Sequence, residues 1–444
     1  MATNSESLGT ATRPALGYRH YVLAILVLGY VINVVDRTIM GILIQPIKGE
    51  FGLSDTQLGF LGGIAFAFFY ATLGIPIAAL ADRTSRTRVL AASLLVWSVM
   101  TALCGLAVGF FTLLLARIGT AVGEAGGSPP SHSLIADYFP TKERATALSI
   151  YALGVPIGVS LGSLLGGWGS DLVGWRMTFI WAGVPGIIIG ILVLLTMREP
   201  ARGGADGAAA MTRAAKAATP PIREVLAFLW QKPSFRHLSL AAALHSAVWY
   251  GGSTWNAPFF IRSHGMSASE AGSWLALFAG IATIGTLLGG VLSDRLSVRY
   301  DDKRWYMWVP GIATLVMVPF QFLAYLSPGM AVVAPSFAIM VVLASVFFGP
   351  SFAMTQGLVT LRMRAVAASV LLFVQTLIGL GMGPFLTGVL SDALEPTYAN
   401  ESLRYALVVI GMCNIWAAFH YFAGARSLRA DLTNTAALDG ATTT

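Results

Sequence analysis

Of 444 residues, 56% are hydrophobic and only 11% are charged, and the mean hydropathy is +0.71. A soluble domain carries about 25% charged residues, so a water-soluble protein of this length is excluded, as are the collagen, coiled-coil and disordered classes. The net charge of +7 is better placed in loops that set membrane topology than at a nucleic-acid interface. Residues 1–19 are polar, lack the apolar core of a cleavable signal, and read as a cytoplasmic tail. Apolar runs follow at 21–47, 56–81, 89–108, 111–138, 145–168 and 177–197. A basic break rich in Ala, Gly and Pro spans 198–234 and reads as a cytoplasmic linker. It carries a short amphipathic stretch near 222–231 that suits the membrane surface, although a plain tether explains the break equally simply. Further runs lie at 238–261, 267–296, 306–326, 331–361, 365–390 and 403–423, and 426–444 reads as a second cytoplasmic tail. Each run has roughly the 20 residues that a crossing needs. Helix is the state they must take, because an open sheet leaves backbone groups unpaired in lipid.

The expected fold is all-α and membrane-integral, with twelve helices in two six-helix bundles, 20–197 and 235–425. Alternate connections hold 22 of the Lys and Arg residues against four on the other side, which places both termini in the cytoplasm. Cys104 and Cys413 lie inside apolar runs, so neither a disulfide framework nor a metal site is expected. The halves repeat each other. AALADRTSR at 78–86 returns as GVLSDRLSV at 290–298, and ERATALSIY at 143–151 is echoed by MRAVAASVL at 363–371. Parallel repeats of this kind are a transporter plan.

These motifs resemble the major facilitator superfamily. Its signature between helices 2 and 3 stands here as Ala78, Leu80, Ala81, Asp82, Arg83, Ser85 and Arg86, with two of the family's glycines replaced by Ala78 and Ser85. The second copy keeps Gly290, Leu292, Asp294 and Arg295, and LLLARIGTAVGEAGG of helix 4 is similar to the family's R-x-x-x-G motif. VVDRTIMGIL, RIGTAVGEAG, FFIRSHGMSASEAG and GLGMGPFLTGVLSD look most like the Spinster group in a prokaryotic form. The resemblance implies a secondary transporter of the bacterial inner membrane, monomeric, with lysophospholipid or sphingoid-type cargo. It also implies a cytoplasmic gate of Asp82, Arg83, Arg86, Glu143, Arg144, Asp294, Arg295, Arg362 and Arg364.

Ionisable groups at bilayer depth are costly and mark function by default. Asp36 and Arg37 in helix 1, and Arg117 and Glu124 in helix 4, sum to zero charge. Seven residues nearly complete two turns, so Arg117 and Glu124 share a face. Asp36 and Glu124 are the expected proton carriers, and Arg37 and Arg117 their partners or a headgroup site. A neutral network that merely fixes packing would look the same. No cofactor is expected beyond the coupling proton. Asn33 and Met40 share the face of Asp36 and are expected to line a central cavity. From the second half, His245, Trp249, Tyr250, Trp255, Asn256, Phe348, Gln356 and Gln375 are the candidates. Such a lining suits an amphipathic solute, with a small organic anion as the alternative. A membrane enzyme or sensor is the remaining class. Its support is GVSLG at 158–162, which matches a hydrolase motif but lies in a run of small residues within a membrane helix.

Overall fold

The computed structural model describes residues 16–202 and 221–441. Arg13 with most of the first tail, 203–220 of the break and 442–444 lie outside the described residues. All regular structure among the described residues is helical. In the first half, helix 1 is Leu16–Phe51, helix 2 is Asp55–Gly62 continued by Ile64–Arg83, and helix 3 is Arg86–Cys104. Helix 4 is Phe110–Glu124 followed by Ser128–Tyr138. Helix 5 starts in Thr141–Ala152 and runs into Gly154–Thr196, which also holds helix 6. The two divide at Gly174, whose φ of 80° is open to glycine and strained for other residues.

In the second half, helices 7, 8 and 9 are Pro233–His264, Ala268–Arg299 and Trp305–Leu326. Helix 10 is Met330–Ser345 with Phe348–Gly357. Helix 11 opens as Leu361–Met363, continues as Arg364–Val374, loosens to a π-helix over Gln375–Met382 and ends as Gly383–Tyr398. Helix 12 is Ser402–Gly411 with Cys413–Ala441. Eight described segments are long and apolar enough to cross a membrane, and two of them, Thr141–Thr196 and Arg364–Thr435, each contain two crossings. Helix 4, which is broken, and helix 7, which carries many polar residues, bring the crossings to twelve.

Glycines set the spacing within the first bundle. Gly154, Gly158, Gly162 and Gly166 recur every fourth residue along helix 5, and a methyl on any of them would press on Tyr30, Val34, Thr38 or Ile42 of helix 1. Close packing of this kind replaces the hydrophobic drive that lipid cannot supply between helices. The GVSLG run belongs to this stripe, and Ser160 donates to the Ala276 carbonyl, so no strand-to-helix elbow exists. The amphipathic stretch forms the helix Ile222–Trp230. It buries Val225 and Leu229 against the second half and exposes Ile222 and Trp230.

The two ends of the molecule differ. One end, here the basic end, carries the connections between helices 2 and 3, 4 and 5, 8 and 9, and 10 and 11. At the opposite end a core of Val35, Met40, Leu61, Trp255, Phe260 and Tyr325 runs across both halves. Helix 2 meets helix 11 there, helix 5 meets helix 8, and helix 1 meets helix 7. The hydrogen bonds that join the halves among the described residues all involve this side of the molecule or its middle.

Candidate functional site

Helix 1 carries Asp36 and Arg37 in the bundle interior, and helix 4 brings Arg117 and Glu124 against them. Arg37 and Glu124 form a close ion pair. Arg117 Nη1 stands 3.6 Å from Asp36 Oδ1, a charge contact longer than a hydrogen bond. Asp36, Arg117 and Glu124 are at most 2% exposed. Thr101 of helix 3 donates its hydroxyl to the second oxygen of Asp36. Among the described residues, Asp36 Oδ1, Glu124 Oε1 and Arg117 Nε and Nη1 have no hydrogen-bond partner.

Helix 2 supplies an aromatic wall. The Arg37 guanidinium lies 4.5 Å from the ring centre of Tyr70 and 5.2 Å from that of Phe66, and Arg117 lies 5.0 Å from Phe66. Phe66 is therefore shared by two cations, an attraction that strengthens away from water. The quartet is neutral overall, but its two pairs differ. One is a close ion pair, and the other is a longer charge contact.

The expected cavity residues separate. Tyr250 packs with Phe66 and Tyr70 beside the quartet. Asn33 borders a void of about 10 Å³ with Tyr30, Ser131 and Tyr151, too small for an organic solute. Met40 and Trp255, expected to line a cavity, are instead wholly buried in the core that joins the halves, and Trp255 Nε1 donates to the Pro384 carbonyl at 2.8 Å. His245 is held by the Ala344 carbonyl at 2.8 Å and lies 3.3 Å from the Thr314 hydroxyl, which makes it a packing residue of the second half. Asn256 accepts the Tyr325 hydroxyl at 2.9 Å. Trp249, Phe348 and Gln356 are exposed, and Gln375 is buried where the π-helix begins. Tyr30, Phe66, Tyr70 and Thr101 were not singled out in the sequence. The FAFFY run at 66–70 was the available signal, but aromatic residues are common in membrane helices.

At the basic end, no hydrogen bond or ion pair among the described residues joins the residues expected to form a gate from one half to the other. Asp82, Arg83, Arg295, Arg362 and Arg364 are exposed. Glu143 pairs with Arg19 at 2.6 Å, Arg144 donates to the Ala136 carbonyl, and Asp294 accepts the Tyr306 hydroxyl. Arg86 differs from the others. It is 2% exposed and bonds Asp137, Glu199, Ser133 and the Pro200 carbonyl, tying helix 4 and the chain after helix 6 to the start of helix 3. Burial alone would raise the Glu199 carboxyl, but the Thr87 N–H, the Arg86 guanidinium and two hydroxyls outweigh it and hold its pKa below the usual value.

The opposite end holds the cross-half charges that sequence reading passed over. Asp55 takes a two-pronged bond from Arg262, at 2.6 and 2.8 Å, together with Lys48 at 2.7 Å and the Ser391 hydroxyl at 2.7 Å. Arg262 Nε also donates to Gln45 at 2.7 Å.

Comparison with known proteins agrees with this architecture. A family model described as Major Facilitator Superfamily matches residues 26–386. An MFS-type efflux pump of Mycolicibacterium smegmatis is 32% identical over 414 residues, which is 92% of this chain and 93% of that one. The sphingosine-1-phosphate transporter SPNS2 of Danio rerio is 27% identical over 87% of this chain and 80% of its own. Among solved structures, a bacterial homolog to the human lysosomal transporter Spinster, in an inward-facing and unoccupied conformation, is similar at a TM-score of 0.85 and 35% identity. It covers 95% of this chain and 99% of its own.

Proposed function

The chain belongs to the Major Facilitator Superfamily and is a transporter rather than an enzyme, and on that premise we propose that it moves an amphipathic, lipid-like solute by proton-coupled alternating access. The observation that carries the reading is a neutral quartet of charges inside the first half, three of them buried and Arg37 half-buried, beside Tyr250 of the second half, in a molecule whose halves hold together toward one end. A buried carboxylate beside an arginine that can leave is a site where proton and partner exchange. Asp36, with its loose contact to Arg117, is the leading carrier, and Glu124 is coupled to it through Arg37.

Positive charge supports the cytoplasm for the basic end and for both termini, in what we take to be a bacterial inner membrane. The solute then enters from the cytoplasm. Its apolar part lies along Phe66, Tyr70 and Tyr250, and its polar head reaches the arginines. The similarity to a sphingosine-1-phosphate transporter supports the lipid-like class, and the similarity to an efflux pump supports outward movement. A small organic anion is the second reading, favoured by the two Arg117 nitrogens without a protein partner.

The test is proton flux in proteoliposomes under an imposed solute gradient, comparing lysophospholipids and sphingoid bases with small organic anions. Proton movement with a lipid is the expected result. Movement with an anion alone would overturn the cargo, and solute flux without protons would overturn the coupling.

A further inference from the structure

Helices 2, 5, 8 and 11 share one ending: a small residue, then aspartate one turn later. The pairs are Ala78 with Asp82, Gly167 with Asp171, Gly290 with Asp294, and Gly388 with Asp392, and GVLSD is identical at 290–294 and 388–392. Helices 2 and 8 also begin alike, with GLSDTQLG at 52–59 and GMSASEAG at 265–272. Each has a left-handed glycine, Gly52 or Gly265, and a capping box, Ser54 with Gln57 or Ser267 with Glu270.

At the opposite end these features meet across the halves. Asp392 accepts the N–H of Asp55 at 2.9 Å and of Thr56 at 2.7 Å, at the first turn of helix 2. Asp171 accepts the N–H of Ser269 at 2.8 Å, at the first turn of helix 8. The preceding small residue permits the approach, because a methyl on Gly388 would strike the Asp55 backbone and one on Gly167 the Ala268 backbone. One turn deeper, Gly59 and Gly272 repeat the contact against the Pro384 and Ser163 carbonyls. The basic end has the same build without the contact. Asp82 and Asp294 are exposed, and a methyl on Gly290 would meet nothing within 4 Å.

An acid at a helix N-terminus is held by the free N–H groups and by the helix dipole. We propose that Asp171 and Asp392 are positioning residues for transport, two pseudo-symmetric latches that hold the opposite end shut. As the halves rock, these two latches exchange with the cytoplasmic gate that the resemblance already implies, in which Asp82 would meet the helix 11 N-terminus and Asp294 the helix 5 N-terminus. The pairing follows the symmetry of the contacts seen: the end of helix 11 holds the start of helix 2, so the end of helix 2 holds the start of helix 11. Arg362 and Arg364, exposed there, add charge for Asp82. Asp392 has two N–H partners against one for Asp171, so its latch is the stronger. The proposal rests on the alternating-access reading.

The test is double electron–electron resonance on the full chain in nanodiscs. Spin labels at Val108→Cys with Tyr398→Cys report the opposite end, and Arg88→Cys with Val298→Cys the basic end, in a background without Cys104 and Cys413. Asp392→Ala is expected to raise the population open at the opposite end and closed at the basic end about tenfold, the scale of a lost charge-assisted bond. Asp171→Ala should raise it less, and adding Asp82→Ala to Asp392→Ala should return it toward wild type. Gly388→Ala attacks the same latch by steric contact and should act in the same direction, which guards against a variant that merely misfolds. Wild-type distances in both Asp392→Ala and Gly388→Ala would overturn the latch, provided the parent protein itself exchanges with pH or solute. A parent protein with one fixed distance at each end under every condition would instead overturn alternating access.

Discussion

Asp36 and Arg86 show how differently two buried charges can be used. Asp36 keeps one oxygen without a hydrogen bond and a counter-charge at 3.6 Å, whereas Arg86 is bonded on every side. Asp36→Asn should abolish pH-driven flux, and a variant with the wild-type pH profile would remove Asp36 as the proton carrier. Arg86→Leu takes the buried guanidinium away from Asp137 and Glu199. Breaking a buried pair in this way costs about 3–5 kcal/mol, which thermal unfolding in detergent would register as a clear loss of stability. The Glu199 carboxyl is held below its usual pKa, so its tie contributes above that usual value and is lost as pH falls through the lowered one. Stability should therefore fall off in acid below about pH 4 more steeply in wild type than in Glu199→Gln. Asp36, Arg37, Arg117 and Glu124 were visible in the sequence because charge is rare in apolar runs. The roles of Thr101 and Tyr70 were not, because residues of their kind are ordinary in membrane helices and only packing brings these two to the acids.

Helices were legible where composition alone decides and less so where neighbours do. The run at 111–138 reads as continuous, yet helix 4 breaks after Glu124, where Gly126 and Gly127 press against Ser93 and Trp97 of helix 3. The run at 365–390 stops short of the end of helix 11, because Asp392 and Glu395 interrupt the apolar pattern. The helix continues to Tyr398 and so carries Asp392 onto helix 2. Helices 5 and 6 follow one another directly and divide at a single residue, Gly174, with open space around it. Gly174→Ala should therefore cost backbone strain without a clash, about 1–3 kcal/mol, seen as a lowered melting temperature with transport retained.

At the scale of the molecule, closure of the opposite end depends on few charges, with Arg262 bridging Asp55 and Gln45 across the halves. Arg262→Met removes the two-pronged bond and leaves Lys48 as the cation on Asp55. It should raise the population open at that end by about tenfold or more. Faster labelling of Thr254→Cys by a membrane-impermeant thiol reagent added from that side would report the shift, and an unchanged rate would mean that the aspartate and glycine contacts keep the end shut without Arg262. The basic-end residues looked like one gate in the sequence. In this conformation Arg86 is a tie within the first half, whereas Asp82, Arg83, Arg295, Arg362 and Arg364 are exposed.

The sequence by itself determined the class of molecule, because lipid accepts only satisfied backbone and twelve apolar runs leave helices as the available solution. It determined the pseudo-symmetry through its repeats, and the rare charges marked the candidate site. The tertiary structure decided which charges pair, that Met40 and Trp255 close the core instead of lining a cavity, and that Asp55 and Asp392 join the halves. Helical periodicity assigns residues to a face, but the rotation, tilt and bending that bring two faces together arise from contacts between residues hundreds of positions apart, such as Gly388 against Asp55.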